Sequence, residues 1–203
     1  MKLYYAQGAC SFSPHIVLHE LGLEHELVQV DLKTGQTSEG VHIREINPKG
    51  YVPALMLDDG EVLTESSAIT MYLGSLKPEL GLMPQGSPIE QARVHEWMNY
   101  IGMELHKNFS GIFNPAATDA EKAAILPRLM KRYALVEKTL EKRPYLCGET
   151  FTVADAYLFT VTNWANLLGI DISSLTSLQA YMAKIMARES VVAAMQVEGI
   201  CAN

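Results

Sequence analysis

The chain has 203 residues, 48% of them apolar and 19% charged, which is enough apolar material for a sizeable core and excludes disorder by composition. Lys plus Arg number 16 against 23 Asp plus Glu, and the formal charge of -7 excludes the basic footprint of a nucleic-acid or anionic-membrane binder. No apolar run reaches the ~20 residues of a spanning helix, and Met1-Lys2-Leu3-Tyr4-Tyr5 runs into a glycine turn and not a signal-peptide core, which reads as a soluble, cytoplasmic protein.

Lys2 to Ala6 is short and β-prone, and the turn Gln7-Gly8-Ala9 follows it. A helix is predicted from about Ser11 to Leu21, with Ser11 or Cys10 at its cap, Pro14 in its first turn and Gly22 after its end. Leu27 to Leu32 alternates as a second strand. After a polar stretch and Asn47-Pro48-Lys49-Gly50-Tyr51-Val52-Pro53, two short apolar runs flank Asp58-Asp59-Gly60 as a hairpin. Thr64-Glu65-Ser66-Ser67 opens a helix that ends near Leu76. The order, βαβ and then ββα, implies a mixed sheet flanked by helices, because the parallel pair needs a helical crossover.

Three prolines (Pro78, Pro84, Pro88) and two glycines (Gly81, Gly86) mark a composition shift, which divides the chain into residues 1–80 and 88–203 with a linker at about 77–87. Beyond it only helical periodicity remains: Ile89 to Phe113, Asp119 to Glu141, Val153 to Leu168, Leu175 to Ala187 and Ser190 to Val197. Thr152 and Asp155 have the spacing of a reciprocal cap, and Phe151 and Ala156 that of a staple, so Asp155 reads as a folding residue.

Cys10 stands where a strand turns into a helix, a place whose free N–H groups favour a thiolate, although a buried apolar cysteine fits the position as well. Three residues on is Ser13, so a resolving thiol is missing; Cys147 and Cys201 read as structural. A cis bond at Val52-Pro53 would leave backbone groups free for an extended peptide, and the sequence leaves the isomer open. Glu65-Ser66 at a helix start offers a hydroxyl and N–H groups to a carboxylate and an acid to an ammonium. Asn99, Met103 and His106, spaced i, i+4, i+7, share one side of a helix. His15, His19, His25, His42 and His95 form no metal-like set, and no metal is expected.

Gly8-Ala9-Cys10-Ser11 with Pro14-His15-Ile16, Asn47-Pro48-Lys49-Gly50 with Val52-Pro53-Ala54-Leu55, Leu63-Thr64-Glu65-Ser66, Glu104-Leu105-His106-Lys107, Phe151 to Phe159 and Glu198-Gly199 together resemble the bacterial beta-class glutathione transferases over essentially the whole chain. The resemblance implies a thioredoxin-like α/β N-terminal domain, an all-α C-terminal bundle, a homodimer, and glutathione as co-substrate. It also implies a cis proline at Pro53, pairing of the Val52 backbone with the cysteinyl residue of glutathione, and Glu65 and Ser66 at the γ-glutamyl end. Cys10 matches the cysteine beside the glutathione sulfur and His106 a side chain near it, and Asn99 and Glu104 match ligand-contacting positions. Spacing turns Glu104 about 140° from Asn99, which favours a contact across the dimer. The beta class often has a lysine where this chain has Gly35, and Lys33 or Lys49 is the expected substitute.

The leading expectation is a detoxifying transferase in which Cys10, Ser11 and backbone donors hold the thiolate of glutathione for attack on a small hydrophobic electrophile. Phe109, Phe113 and Trp164 are candidate walls of its cleft, although aromatic residues at helical spacing are more often core, and His106 completes the catalytic set. Two alternatives stand beside it: a Cys10-dependent thiol transferase or reductive dehalogenase, and a non-catalytic module of the starvation-protein kind.

Overall fold

The computed structural model describes residues 1–200, so Cys201 lies outside the described residues. Strand β1 (Lys2–Tyr5) pairs in parallel with β2 (Glu26–Gln29) and antiparallel with β3 (Ala54–Met56), which pairs with β4 (Val62–Thr64), in the order β2-β1-β3-β4. Helix α1 (Phe12–Glu20) is the crossover of the parallel pair, and α3 (Ser66–Ser75) follows the hairpin. This is the expected thioredoxin-like order.

Two details of this half differ from the periodicity. The second strand stops at Gln29, because Asp31 turns the chain by accepting the Lys33 N–H, and Leu32 is exposed. A four-residue helix, α2 (Ile43–Ile46), is too short to leave a periodic signal. It is closed at its start by His42, whose Nδ1 accepts the Arg44 N–H while the Glu45 carboxylate accepts the His42 N–H.

The remainder is helical: α4 (Pro88–Tyr100), α5 (Lys107–Phe113), α6 (Asp119–Leu140), α7 (Val153–Leu167), α8 (Thr176–Met186) and α9 (Glu189–Glu198). The predicted single helix from Ile89 to Phe113 is interrupted by a π-helical turn over Ile101–His106. Such a turn changes the angular phase between Asn99 and His106, and π-turns are frequent at functional sites. Thr152 and Asp155 form the reciprocal cap, with the Thr152 N–H and hydroxyl both donating to Asp155 Oδ2.

One face of the sheet packs on α1 and α3 and the other is closed over Ile43 of α2 by Tyr4, Val28, Val30, Val52 and Ala54. The outer sides of α1 and α3 pack on α7, and α1 also meets α9, so the two halves share one apolar core. Polar ties cross the same seam: Trp164 Nε1 donates to the Gly8 carbonyl at 2.7 Å, Glu198 accepts the Gly8 N–H at 2.9 Å, and Arg188 grips Glu20 at 2.7 and 2.9 Å. They hold the Gly8 turn, and with it Cys10, against the helical half.

Candidate active site

Cys10 sits at the entry to α1, where the first backbone N–H groups have no helical partner. Its Sγ lies 3.5 Å from the Val52 carbonyl, and the Val52-Pro53 bond is cis. The N–H groups of Cys10 and Ser11 draw the thiol pKa down, but burial pushes it up to about 12. The expected depressed pKa is therefore corrected: desolvation outweighs the helix start, and Cys10 rests as a neutral thiol. Ser11 is corrected too, since its buried hydroxyl donates to the Ala6 carbonyl and accepts the Ala6 N–H, leaving only its backbone amide for the cleft.

The Ser66 hydroxyl donates to the Cys10 carbonyl at 2.9 Å and lies 2.9 Å from the Ser13 hydroxyl, so α1 and α3 start side by side. Glu65 precedes α3 with φ 72°, a conformation no other non-glycine takes among the described residues and one that collects at ligand sites. Lys49 Nζ donates to its carboxylate at 2.5 Å and the Tyr51 hydroxyl at 2.9 Å, and Lys49 above all holds the carboxyl below its usual range. Lys49 is thus committed to Glu65. At Gly35, with φ 72°, a Cβ would stand 2.6 Å from His42 Nε2, so this loop leaves no room for a side chain there.

His106 reaches the site from the helical half, at the end of the π-turn. Its Nδ1 lies 2.7 Å from the Tyr157 hydroxyl, and its ring packs on Trp164 with centroids 4.8 Å apart. Burial, with Lys107 assisting, brings the imidazole down to about 4, so it is neutral at physiological pH. Burial also pushes the Tyr157 phenol well above its usual value. The buried O–H needs an acceptor, which assigns it as donor to Nδ1 and places the imidazole proton on Nε2.

Two adjoining cavities meet at Cys10 and His106. One of about 240 Å³ has a mixed lining and carries Val52, Pro53, Glu65, Ser66, Asn99, Lys107 and Tyr157 on its walls. The other, about 660 Å³, is walled by Gly8, Leu32, Phe113, Trp164 and Leu167. Lys107 and Tyr157 were not singled out in the sequence, although both lie within motifs that carry the resemblance. Glu104 lines neither cavity within the chain and pairs with α6, Arg132 Nε donating to its carboxylate at 2.6 Å, so a ligand contact from Glu104 would be one across a dimer. Phe109 is corrected from cleft wall to core, fully buried behind Trp164. Cys147 is half-buried with its thiol pushed up to about 11 by burial, in keeping with a structural residue.

Comparison with known proteins agrees with this geometry. The family of glutathione S-transferase N-terminal domains matches residues 9–76 and that of the C-terminal domains residues 100–189. Glutathione S-transferase GstA of Escherichia coli O157:H7 is 40% identical over 98% of this chain and all of its own. A sphingomonad glutathione S-transferase solved in complex with glutathione superposes with a TM-score of 0.94 at 40% identity, over 99% of this chain and all of its own. The beta-class enzyme of Sphingomonas chungbukensis does so at 0.95 and 39%, with the same coverage. The chain belongs to the glutathione S-transferases, in the bacterial beta class. This transferase is therefore an enzyme of glutathione conjugation, and the thiol-transferase and interaction-module alternatives are not favoured. No helix among the described residues is long and apolar enough to cross a membrane.

Proposed function

We propose that this transferase binds glutathione in the smaller cavity, beside Glu65 and Ser66, and joins its sulfur to small hydrophobic electrophiles held in the larger, mostly apolar one, in a detoxifying role. The observation that carries the reading is that Cys10 and His106 stand on the shared wall of two cavities, one mostly apolar and one that brings Glu65, Ser66, Asn99 and Lys107 together. Residues 1–80 supply most of the peptide's contacts and Gly8 and Leu32 of the electrophile wall, and residues 88–203 supply His106, Phe113, Trp164 and Leu167.

The γ-glutamyl carboxylate takes the free N–H groups of Ser66 and Ser67 at the start of α3, and the ammonium takes Glu65, already ionised by Lys49. The Val52 backbone pairs with the cysteinyl residue, Asn99 and Lys107 border the peptide, and Pro53 shapes the cavity wall. The sulfur then lies at Cys10. The donors available on that shared wall are the N–H groups of Cys10 and Ser11, the neutral Cys10 thiol and His106 Nε2–H. They stabilise the anion of glutathione, whose thiol proton is released to water. The thiolate forms the new S–C bond to the electrophile while the leaving group departs with the electron pair. In this reading the protein is a cytoplasmic homodimer, for which exposed Ile89 and Leu135 supply apolar surface.

Calorimetric titration with glutathione tests the placement of the peptide. Glu65→Gln removes a charge-assisted contact of ~1.5–3 kcal/mol and should weaken binding by about 10- to 150-fold. Cys10→Ala should keep most conjugation of an activated aryl halide, since Cys10 is one donor among several. Unchanged affinity in Glu65→Gln would place the peptide elsewhere.

A further inference from the structure

His15 and His19 lie one turn apart on α1, and His25 stands just before β2. Sequence spacing suggested no metal-like set among the histidines, but folding brings one ring nitrogen from each of these three within 4.8 Å of the other two. The geometry points to a divalent transition-metal site at His15, His19 and His25, apart from the catalytic cleft and suited to zinc.

The ring nitrogens are already arranged for it. His15 Nδ1 lies 2.8 Å from Glu198 Oε1, both groups fully buried. His25 Nδ1 lies 2.8 Å from the Leu23 carbonyl. Each acceptor fixes the proton on Nδ1 and leaves an Nε2 lone pair, and a carboxylate behind a ligating imidazole is the usual second partner of a metal-bound histidine. His15 Nε2 and His19 Nε2 face each other at 3.1 Å, so without an ion one must donate to the other. Three imidazoles bound through Nε2 to a tetrahedral ion at ~2.0–2.1 Å have ring centres about 5 Å apart. The observed centroid separations are 4.9, 5.5 and 5.6 Å. Such an ion also sets its ligand nitrogens ~3.3 Å apart; His15 Nε2 and His19 Nε2 stand at 3.1 Å, and with the set spread over as much as 4.8 Å the rings must close on the ion as it binds.

Three nitrogen ligands with no thiolate select ions that favour imidazole, with water as the fourth ligand. An ion would enter from the side of His19, which is partly exposed and borders a solvent-facing cleft with Glu20, Arg188 and Ser190. His19 is nine residues from Cys10, about 13 Å along the axis of α1. The ion would therefore act on the fold, joining α1 to the start of β2 and, through Glu198, to α9.

The test uses the whole protein after dialysis against a chelator, titrated with Co²⁺ and watched through its visible absorption, with Zn²⁺ as competitor. The expected result is one equivalent bound with the intense bands of four- or five-coordinate cobalt, displaced by zinc, and a raised melting temperature. His19→Gln and His25→Gln, at partly exposed positions, should each weaken binding by ~100-fold or more, while His42→Gln, His95→Gln and Cys10→Ala bind as wild type. Glu198→Gln should weaken it by about 10- to 100-fold. In the wild type, zinc should shift the imidazole nitrogen resonances of three of the six histidines. That readout does not depend on a variant that folds. Absence of saturable binding, wild-type affinity in either ligand variant, or a different set of shifted imidazoles would overturn the assignment.

Discussion

In the proposed reading His106 acts as a neutral donor, for which two facts about its surroundings agree. Burial lowers its pKa to about 4, so it stays uncharged at any pH above 5, and the Tyr157 O–H on Nδ1 leaves the proton on Nε2. The rise of kcat/KM with pH therefore belongs to the glutathione thiol: activity is low where the thiol is protonated, climbs as it ionises, and shows no inflection from His106. Tyr157→Phe removes the group that fixes the tautomer while keeping the ring that packs beside His106. We expect kcat/KM to fall about tenfold at neutral pH, with the ascending limb moved about one unit upward, and glutathione affinity little changed. A pH–rate profile beside a binding titration checks this, and a limb left in place would remove Tyr157 from the positioning of His106. The residues legible in the sequence, Cys10, Glu65, Ser66 and His106, all belong to short local motifs at helix starts or at a fixed spacing. The Ser11 hydroxyl and Phe109 stand away from the cleft because a residue's place in the sequence does not give its side chain's partner: Ala6, in the same turn, holds the Ser11 hydroxyl, and Trp164, brought in by tertiary folding, covers Phe109.

At the scale of elements, α7 is the helix on which the rest of the bundle is built, and Asp155 fixes its start. The carboxylate is fully buried and accepts four bonds: from the N–H and hydroxyl of Thr152, from the Leu146 N–H, and from the Tyr181 hydroxyl. One residue thus ties the cap of α7 to the turn before it and to α8. Asp155→Ala leaves those donors buried without an acceptor, at ~1–3 kcal/mol for each one that cannot find water. The variant should lose ~3–5 kcal/mol in chemical denaturation, and a loss under 1 kcal/mol would mean that the pocket rehydrates freely. The cap was legible because all its information lies within four residues. The π-turn and α2 were not, because the first is a six-residue change of helical phase inside an uninterrupted pattern and the second has a single turn. Gly35 falls between: the missing side chain is plain in the sequence, but its cause, the His42 ring that occupies the space, belongs to the folded loop.

The whole molecule is held at a seam, and the catalytic turn lies on it. Gly8 receives Trp164 Nε1 on its carbonyl and gives its N–H to Glu198, so the strand-to-helix turn that presents Cys10 is clamped by α7 and α9. Trp164 serves two purposes at once, since the same ring walls the larger, mostly apolar cavity and packs on His106 and Phe113. Trp164→Phe separates them: the aromatic wall persists in smaller form, while the Gly8 carbonyl loses its donor at a cost of ~1–3 kcal/mol. In a chain of this length each kcal/mol shifts Tm by roughly 2–4 °C, so the melting temperature should fall by several degrees. Because the two halves share one apolar core, calorimetry should still give a single transition. Resolution into two peaks would show that the halves unfold independently and that the polar ties, not the core, make the molecule cooperative.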